Sequence, residues 1–117
     1  MRALSIVALA ALVSTSASAA PDGKAIFAAR CAGCHALTDK SSPAGPQLKG
    51  IVGRKIAGAS DFNYSPGLKA KPGVWADASL GAFIAAPAGF APGSKMFARL
   101  AAPADRAAVI AYLKTVK

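Results

Sequence analysis

Cys31-Ala32-Gly33-Cys34-His35 constrains this chain more than any other feature. Two thiols three residues apart lie on one side of a helical turn, where both can reach the vinyl groups of one porphyrin. An imidazole one residue further on then sits under the iron as proximal ligand. Cys31 and Cys34 are the only cysteines in 117 residues, and His35 is the only histidine. All three scarce, reactive side chains therefore fall within five consecutive positions, and the segment reads as a site for one covalently held haem. A thioredoxin-like redox pair would need a βαβ setting, and no strand-rich run precedes Cys31. A structural zinc site needs four ligands and the count stops at three. A disulfide between Cys31 and Cys34 would close a very small loop and add little stability.

Residues 1–19 read as a secretion signal that is cleaved. Arg2 supplies the positive start, residues 3–13 a short apolar run, and Ala17-Ser18-Ala19 an A-x-A-like processing site. An uncleaved anchor would need about 20 apolar residues to span a bilayer, more than this run offers. The expectation is a periplasmic domain of residues 20–117, not integral to a membrane. At 98 residues it is small enough to lean on a staple, and a haem around which short helices pack would be one.

Removing Arg2 from a chain of charge +9 leaves +8, with Asp22, Asp39, Asp61, Asp77 and Asp105 as the only acids. Such a balance favours acidic partners and salt-sensitive association. The lysines are scattered and no aromatics alternate with them, which argues against nucleic acid.

The periodicity is helical and no strand alternation occurs, so the fold class is all-α with three main helices. The first runs from an N-cap at Asp22 to near His35. Residues 38–58 are rich in Ser, Pro, Gly and Lys and read as loop. A short turn is expected around Ser65-Pro66-Gly67-Leu68. A second helix starts at an Asp77 cap and is stopped by Pro87, and a loop then spans 87–95. The last starts near Pro103, with Asp105 in its first turn, Lys114 near its end, and Val109, Tyr112, Leu113 and Val116 as its apolar stripe.

Signal removal takes Met1 with it and leaves Met96 as the sole methionine, in the loop segment Pro92-Gly93-Ser94-Lys95-Met96-Phe97. An isolated Met is ordinarily a core filler. Its uniqueness and loop position instead suit the second axial ligand, because a thioether favours reduced iron and raises the potential.

With these motifs the chain resembles class I cytochrome c, close to the mitochondrial proteins and the bacterial cytochromes c2. The resemblance rests on 31–35, Gly45-Pro46-Gln47-Leu48, Gly53-Arg54-Lys55, Phe62-Asn63-Tyr64-Ser65, Trp75, the segment ending at Met96, and Ile110-Ala111-Tyr112-Leu113. It implies the cytochrome c fold around one haem c, with Cys31 and Cys34 as thioethers and His35 and Met96 on the iron. It also implies that the Pro46 carbonyl accepts from His35, and that Arg54, Tyr64 and Trp75 bond the haem propionates. Gly23 and Phe27 would meet Val109 and Tyr112 where the first and last helices cross. The family usually has a tyrosine where Phe83 stands, often a polar residue at Leu68, and often a phenylalanine at Ala98. The docking face would then rest on Arg30, Lys49, Lys95 and Arg99.

The function implied is one-electron carriage in a respiratory or photosynthetic chain, not enzymatic catalysis, by a monomer. Partners would be acidic sites on a cytochrome bc1-type complex, an oxidase, a photosynthetic reaction centre or a dehydrogenase. A haem peroxidase or gas sensor needs an open distal position, against which Met96 and the lack of a distal His argue. A haem-carrying subunit of a larger dehydrogenase would present the same domain.

Overall fold

In the computed structural model the described residues are 7–14 and 20–117. The processing site at 17–19 lies outside them. Residues 7–14 form no helix, and Val7, Leu9, Leu12 and Val13 are exposed. No helix among the described residues is long and apolar enough to cross a membrane.

The elements are α1 (Gly23–Arg30), α2 (Pro66–Lys69), α3 (Asp77–Ala85), α4 (Pro87–Phe90) and α5 (Pro103–Lys114), with no strand among the described residues beyond isolated bridges. Three main helices are present, with two single turns between them. Asp22 caps α1: its carboxylate accepts from the amides of Lys24 at 3.0 Å and Ala25 at 3.3 Å. The helix stops at Arg30 rather than near His35. Beyond it, the amides of Cys34 and His35 both donate to the Cys31 carbonyl, at 3.1 and 3.0 Å, so the motif lies on tight turns. Gly33, a poor helix former, eases the exit.

Asp77 is the first residue of α3, not its cap. The amide of Ala76 is satisfied by the Ser79 hydroxyl at 2.8 Å, and Asp77 adds only its charge to the first turn. Pro87 ends α3 as read, but it also opens α4 where a loop was expected. Its fixed φ and missing N–H suit a first helical position as well as they suit a stop. The turn matters because it sets Phe90 against Trp75, with ring centroids 5.7 Å apart.

Of the expected α5 stripe, Val109 and Leu113 are buried while Tyr112 and Val116 are half-buried, and Ile110, outside that stripe, is buried instead. The three buried residues share one core with Phe27 of α1 and Leu80 of α3. The crossing of α1 and α5 is close enough to exclude any side chain at Gly23. A Cβ there would stand 2.0 Å from the Ala108 carbonyl oxygen, and backbone cannot yield as a side-chain tip can. Phe27 and Tyr112 complete the contact at 5.7 Å. Gly23→Ala should therefore cost about 1–3 kcal/mol as an overpacked site. Gly81→Ala, whose nearest neighbour would be 3.9 Å away, should be neutral or stabilising. Urea midpoints of the haem-loaded proteins check the contrast; equal midpoints would dismiss the tight crossing.

The stretch 38–58 has no helix, yet several of its backbone groups are paired. Leu48 donates to Ala36 at 2.8 Å, Gly50 to Val116 at 2.8 Å, Gly53 to Trp75 at 2.7 Å, and Trp75 to Arg54 at 2.8 Å. A loop tied at these points can serve as a wall.

Candidate functional site

A cavity of about 330 Å³ opens between the helices and these loops. Cys31, Cys34, His35, Pro46, Tyr64, Trp75 and Met96 all line it, together with Leu48, Leu68, Leu80, Phe83 and Ile84. Residues far apart in sequence thus share one largely apolar chamber. Arg54 does not line it.

His35 is half-buried and its Nδ1 lies 2.8 Å from the Pro46 carbonyl oxygen. A carbonyl can only accept, so Nδ1 carries the proton and, in the neutral ring, Nε2 is left with its lone pair. The ring is further confined by Gly45. A Cβ there would sit 2.8 Å from the Cys34 carbonyl and 2.9 Å from both Cε1 and Nδ1 of His35. Ser42 pins the same loop by donating to the Cys34 carbonyl at 2.9 Å. Cys31 is half-buried and Cys34 exposed, both as free thiols. Burial pushes the Cys31 thiol up, opposed by the neighbouring Arg30 charge.

Met96 is half-buried in the loop after α4. Its amide donates to Ser94 Oγ at 3.3 Å, and the buried Ser94 is itself tied through its amide to the Ala91 carbonyl at 3.0 Å. Lys95 Nζ donates to the Asn63 carbonyl at 2.6 Å, clipping the loop to the far wall. Phe83 has no donor to offer a sulfur atom. It packs between Trp75 and Phe90, at 5.2 and 5.7 Å.

The other side chains singled out from sequence divide. Tyr64 and Trp75 are buried in the wall, and the Tyr64 hydroxyl accepts from the Ala59 amide at 3.0 Å. Arg54 donates to the Gln47 carbonyl and to Gln47 Oε1, both at 2.7 Å, and to the Lys49 carbonyl. Its guanidinium braces the segment following Pro46. Of the basic residues placed at the rim, Lys49 is paired with Asp39 at 3.0 Å, and Arg30 donates to the Arg99 carbonyl at 3.2 Å.

Two residues were invisible to sequence reasoning. Ser41 donates from its amide and hydroxyl to the two carboxylate oxygens of Asp61, at 2.7 and 2.6 Å, across 20 residues. The Ser41 hydroxyl bond, then the amide bond, holds the Asp61 carboxyl below the usual carboxylate range. No local pattern announces such a pair; scarcity of acids is the only hint.

Among the described residues no three His, Cys, Asp or Glu side chains converge as a site for a bare metal ion. What the chamber offers is two thiols, one imidazole with a free Nε2, one thioether and apolar walls. That set fits an iron whose equatorial positions are already filled by a flat apolar macrocycle.

Residues 20–117 match the cytochrome c family. The "cytochrome c homolog" of Rickettsia felis is 46% identical over 99 residues, covering 82% of this chain and 55% of that protein, so the chain spans about half the length of that relative. Cytochrome c2 iso-1 of Magnetospirillum molischianum is 44% identical over 91 residues, 75% of this chain and 91% of that one. Among solved structures, cytochrome cH from Methylobacterium extorquens superposes with a TM-score of 0.73 at 39% identity, covering 80% of this chain and 94% of that one.

Proposed function

The chain belongs to the cytochrome c family, whose cofactor is covalently bound haem c, and from that premise we propose that it is a periplasmic one-electron carrier with His35 and Met96 as axial ligands. Cys31 and Cys34 would hold the porphyrin as thioethers. The observation that carries the reading is that one chamber gathers Cys31, Cys34, His35 and Met96, with His35 Nε2 left free by the Pro46 bond.

The haem, when bound, supplies the Fe(II)/Fe(III) couple. The chain supplies the rest. Pro46 fixes the imidazole plane and makes His35 a stronger donor. Ser94 and Lys95 hold the loop that presents Met96, a neutral thioether that favours the ferrous state. Leu68, Leu80, Phe83 and Ile84 exclude water on the chamber's walls. Tyr64 and Trp75 would hold the haem propionates from the wall, and Arg54 would act from behind by bracing 47–49. Residues 1–19 direct export and are removed.

A carrier should show one reversible electron per chain, with no bond made in a substrate. Spectroelectrochemical titration checks this. A transition of other than one electron, or a ferric form that binds and turns over peroxide rapidly, would favour a haem enzyme instead.

Partners of this carrier present acidic docking sites. Exposed Arg30, Lys95 and Arg99 line the chamber mouth beside Phe97, whose apolar ring is 92% exposed. Charge of one sign around an exposed apolar group steers an opposite charge to the place where electrons leave. The rate with an acidic partner should fall about tenfold or more as the Debye length shrinks from about 10 Å at 0.1 M salt to about 3 Å at 1 M. Arg99→Glu should slow it more than Lys117→Glu. A flat salt profile in stopped-flow experiments, or equal effects at both sites, would remove the docking face.

A further inference from the structure

We propose that Asp61 and Ser41 are positioning residues for His35, forming a hydrogen-bonded relay that fixes the Pro46 carbonyl against the imidazole from outside the chamber. The inference rests on His35 being the proximal ligand. The relay is continuous in the structure. The Asp61 carboxylate accepts from the Ser41 amide at 2.7 Å and from its hydroxyl at 2.6 Å. The same hydroxyl accepts from the Gln47 amide at 2.9 Å. Gln47 follows Pro46 directly, and Pro46 accepts from His35 Nδ1 at 2.8 Å. Two hydrogen bonds and one peptide unit thus lead from an exposed acid to the atom that orients the ring.

Chemistry decides which way this chain pulls. Ser41 Oγ has one proton, and Asp61 takes it, so Oγ is committed to accepting from Gln47. A carboxylate acceptor makes that commitment firmer than a neutral one would, and the Ser41 hydroxyl and amide bonds hold the Asp61 carboxyl below the usual carboxylate range. The Gln47 amide is thereby held, and with it the peptide plane that carries the Pro46 carbonyl. The Gln47 carbonyl and amide side chain are held separately by Arg54, at 2.7 Å each. Asp61 also precedes Phe62, which packs edge-on to Tyr64 at 5.0 Å, so the clip joins the loop under His35 to the opposite wall. Metal ligands are commonly oriented by such outer partners; here the orienting group is a backbone carbonyl, and its own support comes from 15 residues further along the chain.

Losing the relay should loosen the bond from His35 Nδ1–H, leave the imidazole less basic, and so raise the midpoint potential by favouring Fe(II). Removing the Asp61 charge alone pushes the same way, so a variant that keeps the charge is required. In haem-loaded protein, Ser41→Ala should speed solvent exchange of the His35 Nδ1 proton in the reduced state about tenfold, the loss of one charge-assisted bond. It should also raise the potential. Ser41→Thr, which restores the hydroxyl, should return both to wild-type values. Asp61→Ala should raise the potential more than Ser41→Ala, because it also removes a charge, but speed exchange less, because Ser41 Oγ still accepts from Gln47. Asp61→Asn should fall between wild type and Asp61→Ala because its amide oxygen still accepts. Covalent haem and the low-spin His signature must persist in all four.

Unchanged exchange in Ser41→Ala, or a potential that moves only in the Asp61 variants, would overturn the relay and leave the ligand assignment standing. Failure of Ser41→Thr to rescue would reduce Ser41 to a packing role and overturn it as well. A wild type without His35-ligated haem would bring down both.

Discussion

Replacing Cys31 and Cys34 together by alanine is expected to leave a chain with neither covalent haem nor a stable tertiary fold. The chamber measures about 330 Å³ and is open to solvent at its mouth, so without haem its apolar walls meet water instead of a packing partner. Domains of this kind have only about 5–15 kcal/mol of stability in total. The helices cannot compensate by collapsing inward, because the crossing at Gly23 is already in backbone contact and the walls include loops tied at both ends. Of the core, Phe27, Ile51, Leu68, Trp75, Leu80, Val109 and Leu113 all face the chamber, so they would lose a packing partner at once. Intact mass after export with haem maturation should equal the bare chain, and near-ultraviolet circular dichroism should be lost. A haem-free double variant that unfolds cooperatively near the wild-type midpoint would show that the side chains suffice as a core.

Met96→Ala should have the second-largest effect, on the electronics rather than the fold. Haem remains attached through Cys31 and Cys34, but the distal position opens to small ligands such as azide. The potential should fall by a few tenths of a volt, part of the roughly 0.8 V that axial ligands span. The weak sulfur-to-iron band of the ferric protein in the far red should vanish. Because Ser94 and Lys95 anchor the loop independently of the sulfur, the loop should keep its course and stability should drop less than in the cysteine double variant. Absence of the far-red band from wild type at neutral pH, or its survival in the variant, would end the Met96 assignment.

The contrast between these two effects matches what could be read along the chain and what could not. Short-range chemistry was legible. Asp22 caps α1 because its carboxylate reaches amides two and three residues on, a relation contained in four consecutive letters. Pro103 and Lys114 bound α5 for the same kind of reason. Where local signals are ambiguous, tertiary contacts decide. Pro87 can stop one helix and start another, and only the seating of Phe90 against Trp75 and Phe83 shows that it does both. α1 ends at Arg30, short of His35, because the motif's spacing suits tight turns as well as a helix.

By itself, then, the sequence determined the all-α class, the single cofactor-bearing motif and the scarcity that made His35 and Met96 stand out. Each depends on residue identity or on a period of three to four residues, which the chain carries before it folds. Tertiary structure alone decided how the site is held. It turned Arg54 onto Gln47 and Lys49, carried Lys95 across 32 residues to Asn63, and closed Ser41 onto Asp61. Bonds of this range have no period and no fixed spacing. They exist only after loop closure brings their partners together, at an entropic cost that the apolar core and its cofactor offset.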